Sequence, residues 1–403
     1  MKHQPILSRT AALSFSLSSS LSLVALACAS MSAAHAQTKL TTTLYGIADA
    51  QFEHIDATGA AVPAQDKPGR FRVSNVSSEL GVKAALPLGD GMTGLAQYTT
   101  GISIDNANGS TSAGMFGSAK DVFVGIAFAD IGTVKLGRMT AAARWISGTA
   151  DFSPMGAGLQ DDQGMLSGAS GQSVTGPQFN VRFDNTLAFE SASFHGLSAR
   201  VYFSANEGRS AAGTANSPHL DDKSYSVGLQ YVAGPFDLRA AFEQRNDKGT
   251  LNASTDRNTR DQDFRLGMRY ALSPATTLAL GYDRMRLTDP TATGSAKTRL
   301  SKTGVVFGAR HAWGKHVVYG GFGVGSDVKC ELGNKSVCNG ADTGAKNGVI
   351  AYQYILDKQM LFETFATIVK NEKRGKYDFD AGGIGPATGA QSRGFGAGLR
   401  YAF

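Results

Sequence analysis

The chain has 403 residues, 42% hydrophobic and 18% charged, with a formal net charge of +6 and a mean hydropathy of −0.14. That excess of positive charge is mild and unclustered, so no nucleic-acid partner is expected. Beyond the N-terminus there is no helical transmembrane run, so residence in a membrane would require a closed barrel.

Residues 1–36 read as an export segment. Lys2 and Arg9 open it, an uncharged, serine-diluted apolar stretch follows over 11–29, and Ala34-His35-Ala36 forms a small-x-small cleavage site before Gln37. A retained membrane anchor, or lipoprotein processing at Cys28, is the weaker reading, because the cleavage site is present and the flank of Cys28 lacks a large apolar residue three positions upstream. Removing Lys2 and Arg9 from 39 basic residues leaves 37 against 33 acidic ones, a mature charge of +4 over residues 37–403.

From Thr41 to Phe403 apolar residues recur at every second position in segments of about ten residues, the signature of barrel strands. Phe264, Leu266, Met268 and Tyr270 interleave with Arg265, Gly267 and Arg269. The final segment alternates Phe395, Ala397, Leu399, Tyr401 and Phe403 with Gly396, Gly398 and Arg400. Segment 361–370 alternates imperfectly, but its position favours a strand.

A soluble sandwich could alternate in the same way, and the connections separate the two. Short turns fall at 87–91, 130–132, 194–196, 233–235, 272–275, 312–314 and 357–358. Long polar connections fall at 54–70, 105–119, 140–180, 205–222, 246–260, 288–298, 326–345 and 371–391. Seven short turns and eight long loops predict sixteen antiparallel strands in an all-β transmembrane barrel, with tight turns on the periplasmic side and long loops outside. Tyr45, Phe52, Phe123, Phe128, Tyr225, Tyr231, Tyr352 and Tyr354 lie near strand ends, as interfacial girdles require.

Cys330 and Cys338 lie within one polar loop of an exported chain, which predicts a small loop-closing disulfide. Nothing resembling a catalytic constellation stands out: there is no H-E-x-x-H, no G-x-S-x-G and no spaced cysteine–histidine set, so neither an enzyme activity nor a cofactor is expected. The glycines at 321, 323 and 325 lie in a strand pattern with no following helix, where they give room to bulky neighbours. The longest connection, 140–180, has no clear structure of its own in the pattern and so should carry function. It holds Asp151, Asp161 and Asp162; the last two could bind calcium, but spacing favours a solvated pair and no metal site. On the polar phase of the strands lie Glu79, Lys83, Arg182, Asp184, Arg200, Arg239, Arg265, Arg269, Arg310 and Arg400. A wall with more arginine than carboxylate predicts weak anion preference.

Several blocks together resemble the trimeric general-diffusion porins of Gram-negative bacteria, in their β-proteobacterial form. They are T-L-Y-G-I-A-D-A (43–50), S-E-L-G-V-K-A (78–84), F-V-G-I (123–126), G-T-V-K-L-G-R (132–138), R-F-D-N-T-L-A-F-E-S (182–191) and the terminal G-L-R-Y-A-F. The resemblance implies a homotrimer, a third loop folded into each lumen, and an eyelet of basic wall residues facing loop carboxylates. It implies passage of small hydrophilic solutes, and contact with outer-membrane lipid, lipopolysaccharide and the barrel-assembly machinery. D-F-S-P-M-G (151–156) stands where the family has an aspartate, proline and phenylalanine cluster, and Lys120 and Arg138 fall at basic eyelet positions. Alternation puts Arg138 in phase with Val134 and Leu136, so an inward aim requires a break at Gly137. Where the family block reads S-R-x-G this chain has Glu79, with Arg72 nearby to compensate. Phe403 matches the family's terminal aromatic assembly signal. The alternatives are a barrel enzyme, or an adhesin or receptor working through its external loops.

Overall fold

A computed structural model describes residues 39–105, 116–153, 157–167, 179–205, 207, 221–247, 258–379 and 382–403. The stretch read from sequence as an export segment, with Cys28, and Pro154, Met155 and Gly156 of the third loop, lie outside the described residues. Among the described residues no helix is long and apolar enough to cross a membrane.

Nineteen strands run in chain order: β1 (Thr41–Thr58), β2 (Lys67–Asn75), β3 (Glu79–Gly89), β4 (Met92–Ile102), β5 (Phe116–Phe128), β6 (Gly132–Thr140), β7 (Arg182–Ser191), β8 (Leu197–Ser204), β9 (Ser224–Ala233) and β10 (Phe236–Asn246). They continue as β11 (Arg260–Ala271), β12 (Thr276–Thr288), β13 (Lys297–Trp313), β14 (His316–Gly325), β15 (Lys329–Leu332), β16 (Val337–Cys338), β17 (Ala345–Ile355), β18 (Met360–Asn371) and β19 (Gln391–Ala402). β2 and β3 both pair with β1 and act as one strand interrupted at 76–78, where Ser77 takes a positive φ of 57°. β15 and β16 form a hairpin within the seventh loop. The remaining pairings are antiparallel between neighbours, and β1 pairs with β19, so sixteen barrel strands close without an edge. The seam ends on Phe403, which exchanges two 3.0 Å backbone hydrogen bonds with Gly46.

Side-chain alternation is inverted relative to a water-soluble sheet. Phe264 and Leu266 are 44% and 41% exposed, whereas the alternating Asp263 and Arg265 are 1% and 0% exposed and paired at 3.0 Å. An apolar belt outside and charge inside is stable only where hydrocarbon surrounds the wall. All seven short turns occur where the sequence places them.

Several boundaries and orientations differ from the sequence reading. The first loop shrinks from 54–70 to 59–66, because His54 meets Phe71 edge-on and stacks with Phe395, and Asp56 pairs with Arg393 at 3.2 Å, which extends β1. The sixth loop likewise narrows to 289–296. Tyr45 and Phe123 do not belong to the outer girdle. Tyr45 donates or accepts at Thr99 Oγ1 (2.5 Å) beneath Lys83, and Phe123 lies under Lys135, so both rings face inward. At the short-turn end the outward aromatics include Tyr231, Phe236, Tyr270, Trp313, Tyr352 and Tyr354, with His316 among them.

Cys330 and Cys338 face each other across the β15–β16 hairpin, Cα atoms 5.2 Å apart and sulfurs joined. Cys330 packs with Phe179, Met285, Leu287 and Leu300, so the hairpin sits on the extracellular ends of β12 and β13.

Candidate functional site

The connection between β6 and β7 is ordered where it is described, which corrects the expectation of a segment without structure. It carries α1 (Ala142–Ala150) and a single turn, α2 (Gly164–Ser167). A nine-residue helix holding Gly148 is too short to persist alone; tertiary packing stabilises it. Its apolar face, Ala142, Ala143, Ile146 and Ala150, lies against inward positions of β9 to β12 where the wall has no side chain. A Cβ on Gly228 would stand 2.9 Å from Ala142 Cβ, and one on Gly267 2.9 Å from Ile146 Cγ2 and Thr149 Cβ. Further along, a Cβ on Gly323 would meet Met165, and one on Gly321 would meet the Asp162 carboxylate at 2.7 Å.

Arginines of the wall fix the helix. Arg265 donates to Ala143 O at 3.1 Å and to Ser147 Oγ. Arg269 donates from Nε to Thr149 O at 2.7 Å and from Nη2 to Gly148 O and Asp151 O at 2.8 and 2.9 Å. Those carbonyls are the unsatisfied, negative end of the helix, where a cation is stabilising. Arg200 and Arg239 both lie over the Trp145 ring, 4.0 and 4.5 Å from its centroid.

Beyond α1, Asp151 accepts from Ser153 N and Oγ (both 2.7 Å) and from Gln163 Nε2 (3.1 Å). Asp161 accepts from Gln163 N at 2.7 Å. Asp151, Asp161 and Asp162 are 5%, 4% and 3% exposed, with carboxylate oxygens within 4.8 Å of one another. The solvated reading of Asp161 and Asp162 is therefore wrong: the loop folds over them. Burial raises the Asp151 carboxyl above the ordinary carboxylate range, against the opposing pull of Ser153, Gln163 and the Arg269 charge. At the far side Gln160 donates to Glu363 at 2.5 Å, and Glu363 also accepts from Gln353 (2.6 Å) and Tyr319 (3.1 Å).

This arrangement leaves a polar cavity between α1 and the β3, β5 and β7 wall. Glu79, Lys120, Asp151 and Arg182 line it, as does Arg144. Lys120 donates to Glu79 Oε2 at 2.7 Å and to Ser77 O at 2.8 Å. Arg182 donates to Asp121 Oδ1 at 2.8 Å, and Arg144 donates to Asn180 O at 2.8 Å. Lys120 and Asp121 both reach this wall because β4 and β5 slip register: Tyr98 faces Val122 while Thr100 faces Ala119.

Three of the sequence candidates lie elsewhere. Arg138 is not turned into the cavity. Its guanidinium goes to Ala119 O (3.0 Å) and Asp184, while Met139, 3% exposed, takes the inward place. A break does occur after Gly137, but the extra residue is on β7, beside Asn185 with φ 50°, and Arg138 keeps the phase of Val134 and Leu136. Arg72 pairs with Glu53 (2.5 Å) and donates to Gly382 O (2.5 Å) in the eighth loop. Lys83 lies over the Tyr45 ring, 4.6 Å from its centroid. Arg144, Asp121 and the cavity-facing role of Arg269 were not anticipated. The signal for Arg144 is a lone charge in the alanine-rich start of the long loop.

Comparison with known proteins gives a consistent answer. A family model described as Gram-negative porin matches residues 22–374. No curated relative matches the chain in sequence. Among solved structures, the anion-selective porin from Comamonas acidovorans superimposes with a TM-score of 0.71 at 18% identity, covering 91% of this chain and 100% of that one. In-vitro folded OmpT of Vibrio cholerae gives 0.63 at 14% identity (92% and 100% covered), and Salmonella typhi OmpF in complex with daunomycin gives 0.60 at 15% (90% and 97%). With the family model spanning most of a closed, inverted sixteen-strand barrel, the chain belongs to the Gram-negative porin family: it is an outer-membrane channel for passive diffusion.

Proposed function

We propose that the cavity between α1 and the β3, β5 and β7 wall is the narrow point of the channel and that it favours anions weakly. The carrying observation is its charge count. Four cations line it, Lys120, Arg144, Arg182 and Arg269, against two lining carboxylates, Glu79 and Asp151, and a third, Asp121, that pairs with Arg182 behind the lining. The departure at Glu79 is offset by its ion pair with Lys120, and the count of cations over carboxylates leaves the excess positive. Small hydrophilic solutes pass by diffusion, filtered by size at the folded loop and by this field, with no covalent step and no cofactor. The working unit is a homotrimer; a trimer form is described for the structurally similar Vibrio cholerae OmpT, at 15% identity and a TM-score of 0.61.

The test is conductance of reconstituted protein in planar bilayers. Current should rise in steps and close in groups of three. Replacing chloride by gluconate should lower conductance more than replacing potassium by Tris. Closures only in single units would refute the trimer, and a larger effect of the cation replacement would refute the anion preference.

A further inference from the structure

Between the narrow point and the short turns, the inward wall of β1 and β3 to β6 carries two cross-strand rows. The upper row reads Thr43, Lys83, Gln97 and Phe123, and the lower row reads Thr41, Ala85, Leu95, Gly125 and Lys135. Directly opposed residues share one face of a sheet. The intervening Val82 and Val124 are 40% and 58% exposed, on the outer face. Within the rows, an ammonium, an amide and two hydroxyls border a floor of Ala85 and Leu95, with Phe123 at its edge, and they enclose a hollow of about 250 Å³.

The charge at this hollow is not neutralised. On β5 to β7, Lys120, Lys135, Arg138 and Arg182 each pair with a carboxylate. Lys83 is exposed and, among the described residues, has no acid at ion-pairing distance. Its Nζ rests 4.6 Å from the centroid of the Tyr45 ring, which lies where a Cβ on Gly81 would be and is tied to Thr99 at 2.5 Å. Gln97 donates to Tyr45 Oη at 3.3 Å and to Thr99 Oγ1 at 3.1 Å, which fixes the upper edge. An ammonium seated on a ring keeps donors for an incoming group. An inorganic anion would leave the apolar floor wet, and a neutral sugar would leave the ammonium without a counter-charge. An anion with a flat apolar body satisfies both.

We propose that this hollow is a binding station for single-ring aromatic carboxylates on their way through the channel. The carboxylate meets Lys83 and the hydroxyls of Thr41 and Thr43, and the ring lies on Ala85 and Leu95 against Phe123. The volume falls below the roughly 300–1,000 Å³ of sites for drug-sized ligands, which suits one ring. The inference rests on the chain being a diffusion channel and is independent of the sign of selectivity at the narrow point.

The experiment is block of potassium chloride current through the reconstituted protein by benzoate, with acetate as the probe that has the same charge and no ring. Benzoate should block saturably at a concentration about tenfold lower than acetate, the effect of laying roughly 55 Å² of ring on the floor. K83Q removes the charge, and benzoate block should weaken to the level of acetate. A85L fills the floor and keeps the charge, and the difference between the two acids should vanish. Stepwise chloride conductance shows that each variant is folded. K120Q, at the narrow point, should keep the preference for benzoate. Equal block by the two acids in wild type, a preference that survives in K83Q or in A85L, or its loss in K120Q alone would overturn the proposal.

Discussion

The glycine seat beneath α1 supports a quantitative prediction. In Gly267→Val the new Cβ would lie 2.9 Å from Ile146 Cγ2 and Thr149 Cβ, where ordinary contact begins near 3.4 Å. The Cβ alone requires about 0.5 Å of retreat, and its methyls extend about 1.5 Å further, so α1 must rise into the lumen by roughly 1.5 to 2 Å. Arg265 and Arg269 oppose this movement through donations of 2.7 to 3.1 Å to helix carbonyls. Overpacking of this kind costs about 1–3 kcal/mol, with more lost if those charge-assisted bonds stretch. Single-channel conductance should fall and the heat-unfolding temperature should drop. Gly348→Ala is the control, because its nearest neighbour, Ile368 Cγ2, is 3.7 Å away, and both quantities should stay at wild-type values. If G267V matches wild type in conductance and stability, α1 does not rest on this wall.

Three further outcomes follow from the charges and the seventh loop. Lys120→Gln reduces the cavity's four cations to three against three carboxylates; one charge about 6 Å from an ion in water is worth about 0.7 kcal/mol, favourable to an anion and unfavourable to a cation, so the anion-to-cation permeability ratio should fall by up to roughly tenfold, and Glu79→Gln should raise it. Because burial raises the Asp151 carboxyl, its neutral form persists above the range where exposed carboxylates titrate, and anion preference should grow as pH falls through that window. The linkage has the same sign: the raised value contributes stability at low pH that is lost as pH rises through it, so Asp151→Asn should flatten both profiles, and unchanged profiles would refute the assignment. Cys330→Ser with Cys338→Ser removes a closure worth about 2.5 kcal/mol in the chain-entropy model; amide exchange in the β15–β16 hairpin should accelerate while conductance holds, and unchanged exchange would show that the disulfide does not stabilise the hairpin.

Much of the barrel was legible because a strand's period of two is enforced by two different solvents, and β11 to β13 show it residue by residue. What escaped depends on contacts distant in sequence. The helix at Ala142–Ala150 is only nine residues long and forms because Gly228, Gly267 and two arginines receive it. Asp161 and Asp162 look like solvated loop acids until Gln163 and the wall close over them. Arg138 shows the opposite case: simple alternation with Val134 and Leu136 describes its phase, and the inward aim implied by resemblance does not hold. Tyr45 and Phe123 were assigned by residue type, although alternation with Leu44 and Val124, 60% and 58% exposed, marks them as inward.

If a basic eyelet between α1 and the wall governs passage, the zero-current potential of the reconstituted channel across a potassium chloride gradient reads it out. The potential should carry the sign that reports chloride as the more permeant ion, and its size should shrink in K120Q. A potential of the opposite sign in the wild type would mean that Glu79 and the loop carboxylates outweigh the arginines, and would contradict a basic eyelet.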